Sequence, residues 1–281
     1  MPLVTVNSHR LNYADSHPDG PPTPSGLTLV FVHGLGSSQN YYFPVIPHLS
    51  SHRCITVDTY GAARSPYTGE AVSIPGIAED VIGVLDALKI SKAVVVGHSM
   101  GGLVVTELGA RYPDRIQGVV AIGPTHPSDT LVSVMGKRAE TVLEGIYDST
   151  GRNSSSADCV LAGMEPMANT IPTAAVGSQS TPLQRAFIRE LLLGQDARGY
   201  AALCRAIASA PVPEYAAVRA PFLLIAGAED KSAAIEGCKH IFEHVSSQKK
   251  SMEVLTGVGH WHCLEAGDEV GALIARFVEI V

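Results

Sequence analysis

The chain has little that would tie it to nucleic acid, a membrane surface or a structural metal. Its 281 residues carry 27 acidic and 20 basic side chains, a net charge of −7, with no dense run of either sign. An acidic chain without a basic stripe argues against nucleic acid, and the lack of a basic amphipathic stretch argues against a membrane surface. No apolar run approaches the roughly 20 residues needed to cross a bilayer. The five cysteines, Cys54, Cys159, Cys204, Cys238 and Cys263, are odd in number and scattered, with no C-x-x-C pair. Such spacing suggests neither a disulfide framework nor a zinc site. It fits free thiols in a reducing compartment, each packed as a small hydrophobe. The amino terminus shows no basic segment followed by an apolar one, so a cytoplasmic location is expected. No internal repeat is visible.

What is present is a long run of strand and helix signals in alternation. At 46% hydrophobic residues the chain is large enough to bury one sizeable α/β core with an inserted subdomain. Two short strands are expected at 4–6 and 9–13, with a Pro/Gly-rich loop over 15–25. Residues 27–32, 53–57, 94–96, 116–122, 221–226 and 251–255 read as strands, most of them continuously apolar as in a parallel sheet covered on both faces. Helical spacing marks 74–88, 103–112, 235–245 and 268–280, and an irregular short helix is expected over 41–49. Alternation of this kind implies a mostly parallel central sheet with helices on both faces. Between 129 and 210 the pattern turns helical, with pieces at 131–147, 157–167, 183–193 and 197–209. The expected organisation is therefore a core of 1–124 and 211–281 and a helical lid of 125–210. Within that insertion Met135, Met164, Met167, Ile171 and Phe187, together with Trp261 of the core, are candidate pocket walls, although ordinary helix packing also accounts for the five lid residues.

The centre of the chain is Gly97-His98-Ser99-Met100-Gly101, a G-x-S-x-G between a β-branched run and an apolar helix. A strand that turns sharply into a helix there presents the serine hydroxyl at the tip of a strained elbow, with the first helical amides nearby. The competing reading is a glycine-rich turn with a capping serine. A serine needs an adjacent base, and His260 follows the strand at 251–255 and the glycines at 257 and 259, with His262 as its rival. The carboxylate that would orient the base is Asp230, after the strand at 221–226. Glu229 reads as a solvated neighbour, and Asp58 as a structural loop residue. The order Ser, Asp, His follows. Two backbone donors are needed for an oxyanion, and the amides of Leu35 and Met100 are the candidates.

On these residues the chain resembles the α/β-hydrolase superfamily over nearly its whole length. The matching pieces are His33-Gly34-Leu35-Gly36, the loop at 58–65, the elbow at 97–102, Gly227-Ala228-Glu229-Asp230, and Gly259-His260 with Glu265 beyond. Within it the chain is most similar to the 3-oxoadipate enol-lactonase and small esterase group, whose last lid helix resembles residues 199–206. The loop at 58–65 departs from the usual form, with Ala63 where such proteins often carry glycine. The strigolactone and karrikin hydrolase-receptors are a second resemblance. The resemblance implies hydrolysis of a carboxylic ester or lactone through an acyl-enzyme, with no metal and no organic cofactor, and the apolar composition of the expected lid suggests that the substrate is small and largely apolar. Slow-turnover lactone sensing and carbon–carbon bond hydrolysis by the same triad are the alternatives. It gives no oligomeric state.

Overall fold

The computed structural model describes residues 2–144 and 163–281. Eight strands form one sheet: β1 (Leu3–Val6), β2 (His9–Asp15), β3 (Thr28–Val32), β4 (Arg53–Val57), β5 (Ala93–His98), β6 (Ile116–Ile122), β7 (Phe222–Gly227) and β8 (Lys250–Leu255). Their order across the sheet is β1-β2-β4-β3-β5-β6-β7-β8. β1 pairs antiparallel with β2, and β2 antiparallel with β4, whereas β4, β3, β5, β6, β7 and β8 run parallel. Every residue of β3, β4, β5 and β7 is buried, which is why their sequences are mostly apolar without alternation; buried Arg53, at the start of β4, is paired with Asp15. The edge strand β8 is largely open on one side and does alternate.

From β3 the chain crosses to β4 on one side, then returns to place β5 on the other side of β3. The loops leaving β3 and β5 therefore diverge, and the crevice between them is where a parallel sheet opens for a ligand. The residues after β3, His33 to Gly36, and the elbow after β5 both lie there.

Helix α1 (Ile74–Ala87) begins at Ser73, whose hydroxyl accepts the Gly76 amide, and buries Ile77, Val81, Val84 and Leu85. Helix α2 (Met100–Arg111) follows the elbow directly. Where one irregular helix was expected over 41–49, two 3-10 turns form, Gln39–Tyr42 and Ile46–Leu49. Pro44 and Pro47 lack the amide donors that a continuous helix would need.

Between β6 and β7 lie α3 (Asp129–Leu143), α4 (Glu165–Ala174), α5 (Pro182–Leu193) and α6 (Ala197–Ala208), with α3 packed on α6 and α4 on α5. The expected helix over 157–167 is corrected in part. Its residues 157–162 lie outside the described residues, and the helix observed starts at Glu165, with Met164 as its cap, and runs on to Ala174. Residues 145–147 of the expected helix over 131–147 also lie outside the described residues. The chain closes with α7 (Ile235–His244), the short α8 (His262–Glu265) and α9 (Gly267–Val278). No helix among the described residues is long and apolar enough to cross a membrane.

Candidate active site

Ser99 occupies the tip between β5 and α2 with φ 54° and ψ −114°. This is a left-handed conformation that a serine adopts only under tertiary constraint. The constraint is close backbone approach: a Cβ on Gly97 would collide with the Gly101 carbonyl group. Gly97 thus lets the strand and the helix meet at one residue, and Gly101 lets the start of the helix lie against the Val32 carbonyl at the end of β3.

His260 is brought to that tip from the loop after β8. Its Nε2 lies 2.9 Å from Ser99 Oγ, and its Nδ1 lies 2.8 Å from Asp230 Oδ2. The loop is fixed from several sides. The His260 amide donates to the Ala175 carbonyl at 2.8 Å, and the Glu265 carboxylate accepts the amides of Gly177, Gly259 and Trp261. Asp230 stands at the end of β7, fully buried in its side chain, and its Oδ1 accepts the amides of Ser232 and Ala233. Burial alone would raise its pKa. The charge of His260 and the bond to it, aided by His262 and the Ala233 amide, outweigh burial and hold the carboxyl well below the usual range. An ionised Asp230 requires the proton on His260 Nδ1, which leaves Nε2 free to accept from the Ser99 hydroxyl.

The rival residues fall elsewhere. Glu229 is exposed and accepts both the amide and the hydroxyl of Ser178 at 2.7 Å, so it ties the helical stretch to the core. Asp58 accepts the Gln39 amide and the Asn12 side-chain amide, both at 2.7 Å, and braces the loop after β4. His262 is fully buried, with Nδ1 2.9 Å from the His260 carbonyl and Nε2 3.9 Å from Asp230 Oδ2.

The amides of Leu35 and Met100 have no acceptor among the described residues, and both belong to backbone beside Ser99. The Leu35 loop is held by His33, whose Nδ1 donates to the Gly34 carbonyl while Nε2 accepts the Thr59 amide. A Cβ on Gly34 would stand 3.0 Å from Ser99 Cβ, so glycine lets this loop approach the serine.

A cavity of about 460 Å³ opens over the serine. Leu35, Ser99, Met135, Ile171, His260 and Trp261 are among the residues that line it. Met164, Met167 and Phe187 are not among the residues lining it. Met164 is a buried member of the core, and Met167 and Phe187 are half-buried against that core. Sequence reasoning missed Arg138 and Lys231, two basic side chains that line the same cavity with no acidic side chain among its described lining residues, and His126, whose pKa is lowered by burial and by the neighbouring His240 and His244. It also missed Thr125, whose amide donates to the Ser99 carbonyl and whose hydroxyl lies 3.5 Å from Ser99 Oγ. Its position three residues beyond β6, at the carboxyl edge of the sheet, was the available signal. Nothing in the sequence marks Arg138, which depends on how α3 folds over the sheet. Among the described residues no cluster of His, Cys, Asp and Glu fits a metal ion.

Residues 28–267 match the family model described as alpha/beta hydrolase fold. A 3-oxoadipate enol-lactonase of Acinetobacter baylyi is 27% identical over 259 residues, 90% of this chain and 89% of that protein. Esterase YbfF of Escherichia coli is 40% identical over a shorter stretch of 95 residues, 34% of this chain and 37% of the esterase. The crystal structure of the enol-lactonase from Burkholderia xenovorans superposes over 99% of this chain and 100% of that one, with a TM-score of 0.82 at 24% identity.

Proposed function

The chain belongs to the α/β-hydrolase fold family and is a carboxylic ester or lactone hydrolase, and from that premise we propose that it works as a serine hydrolase through Ser99, His260 and Asp230. The observation that carries this reading is the unbroken relay from Ser99 Oγ through both ring nitrogens of His260 to Asp230, at 2.9 and 2.8 Å. His260 Nε2 takes the hydroxyl proton as Ser99 Oγ attacks the carbonyl carbon, and Asp230 stabilises the imidazolium that forms. The tetrahedral oxygen gathers negative charge beside the Leu35 and Met100 amides, which are already oriented and unpaired. Preset donors of this kind are each worth about 3–4 kcal/mol of transition-state stabilisation. His260 then returns the proton to the departing alkoxide, leaving an acyl-Ser99. A water activated by His260 attacks the acyl carbon, and Ser99 recovers its proton as the acid leaves. For a lactone, the alcohol and the acid remain one molecule.

The described helices between β6 and β7 act as a lid over the cavity, supported by Met135, Arg138 and Ile171 among its lining residues. The basic side chains of Arg138 and Lys231 suit an ester or lactone whose acid part carries a free carboxylate, with Leu131, Val134, Met135 and Ile171 against its carbon skeleton. No metal or organic cofactor takes part. The paired comparison is hydrolysis of an aliphatic lactone, an enol-lactone, a butenolide and p-nitrophenyl acetate by the wild type and by Ser99→Ala. Turnover abolished by the substitution in a folded protein supports the reading. Turnover retained at the wild-type rate overturns it.

A further inference from the structure

Two histidines outside the relay converge on one atom of it. The carbonyl oxygen of His260 lies 2.7 Å from His98 Nε2 and 2.9 Å from His262 Nδ1. A carbonyl only accepts, so each of those nitrogens carries its proton, and the two rings are fixed in opposite tautomers: Nε2–H for His98 and Nδ1–H for His262. The remaining nitrogens, His98 Nδ1 and His262 Nε2, are buried with no hydrogen-bond partner among the described residues. Burial lowers the pKa of both rings and so favours their neutral forms. The nearest groups are consistent with two neutral rings. Tyr41 stacks on His98 at 4.4 Å, Trp261 stands 6.3 Å away, and Asp230 is the one carboxylate beside His262 among the described residues.

We propose that His98 and His262 are positioning residues that clamp the main chain of the catalytic base by filling both lone pairs of the His260 carbonyl. With the His260 amide bonded to Ala175, the peptide groups on both sides of the base are then fixed in space. The ring has only its side-chain torsions left, and Asp230 sets those. The clamp joins two separate pieces of chain, since His98 ends β5 next to the nucleophile and His262 begins α8 two residues after the base. It therefore couples the position of Ser99 to that of His260 without touching substrate. Each histidine leaves a buried nitrogen unsatisfied, a penalty that a leucine of similar size would not carry. A purely packing role does not explain why two are present.

The inference rests on His260 being the base, and a crossed pair of isosteres separates the two ideas. Asparagine places an N–H where Nδ1 stands, and glutamine places one where Nε2 stands. At position 262 the His262→Asn protein should keep kcat within about twofold of wild type, whereas His262→Gln and His262→Leu lose roughly tenfold in kcat with KM little changed. At position 98 the ranking should reverse, with His98→Gln active and His98→Asn and His98→Leu impaired. Melting curves on all six show which are folded, and only folded proteins are scored. The crossed ranking supports the clamp. The same ranking at both positions, or leucine variants with wild-type kcat, overturns it. Activity retained in His260→Ala would instead overturn the assignment of the base, which the amide ranking does not test.

Discussion

A Cβ added to Gly123 would stand 2.5 Å from Cε1 of His262 and 3.1 Å from Oδ2 of Asp230. Gly123 follows β6 with φ +46°, a conformation glycine adopts without penalty. The absence of a side chain here is what lets His262 and Asp230 pack against the sheet. Gly123→Ala should therefore cost about 1–3 kcal/mol of stability from crowding and backbone strain. It should also lower kcat, because Asp230 Oδ2 belongs to the relay and the crowded His262 ring is bonded to the main chain of its base. Urea unfolding with parallel kinetics checks both, and an alanine variant with an unchanged midpoint would contradict the packing described.

The buried His262 ring makes stability depend on pH in a definite direction. Burial is the main cause that lowers its pKa to about 4, against an opposing effect of Asp230. Between about 6.5 and about 4 the unfolded chain binds a proton that the folded chain refuses. The stabilising contribution is thus complete above about pH 6.5 and is lost as pH falls toward 4, to the extent of about 3 kcal/mol. Replacing the ring by asparagine removes this term. The difference in unfolding free energy, wild type minus His262→Asn, should shrink as pH falls from about 7 to about 4. A difference that grows over that interval would contradict the account.

Ala63 lies in the loop after β4 with φ 47°. A left-handed alanine is strained by roughly 1–2 kcal/mol, and glycine relieves this while adding back some unfolded-state entropy. Ala63→Gly should raise the melting temperature slightly, by an amount equivalent to about 0.5–1 kcal/mol. Its amide bonds to Gln195 Oε1 at 3.1 Å, and this bond is kept in the glycine variant. A lower melting temperature would show that the methyl group packs to more effect than the strain it brings.

Arg138 tests the proposed substrate class. With a pair of substrates that differ only as free acid and methyl ester, wild type should prefer the acid. Arg138→Leu should reduce the ratio of kcat/KM for acid over ester by about tenfold, since a charge-assisted hydrogen bond is worth about 1.5–3 kcal/mol. An unchanged ratio would place the carboxylate elsewhere or remove it from the substrate.

How far the sequence discloses this molecule depends on how local each feature is. The buried strands are readable because a strand covered on both faces must be apolar throughout, as β3 and β5 are. The elbow is readable because its backbone approach needs glycine at 97 and 101, and the switch point follows from the placement of glycine-rich turns after strands. The order Ser99, Asp230, His260 can be read along the chain, but their meeting is a property of three loops at one sheet edge. The helices between β6 and β7 are where local signals fail. Apolar residues at helical spacing do not say which face a helix turns to a cavity and which to its neighbours, so Met164, Met167 and Phe187 resemble Met135 in sequence. Arg138 on the same helix as Met135 carries no mark of its role. His262 stands two residues from His260 and reads as its rival, yet the short helix α8 turns it under the base instead of toward the serine. Residues 145–162 of the expected lid lie outside the described residues.

The most direct test of the central claim is intact-protein and peptide-level mass spectrometry during turnover of p-nitrophenyl acetate. The account predicts a transient acetyl increment confined to the peptide bearing Ser99, abolished in Ser99→Ala and formed more slowly in His260→Ala. An acetyl group on another residue that still turns over, or continued product release from a folded Ser99→Ala protein at the wild-type rate, would contradict it.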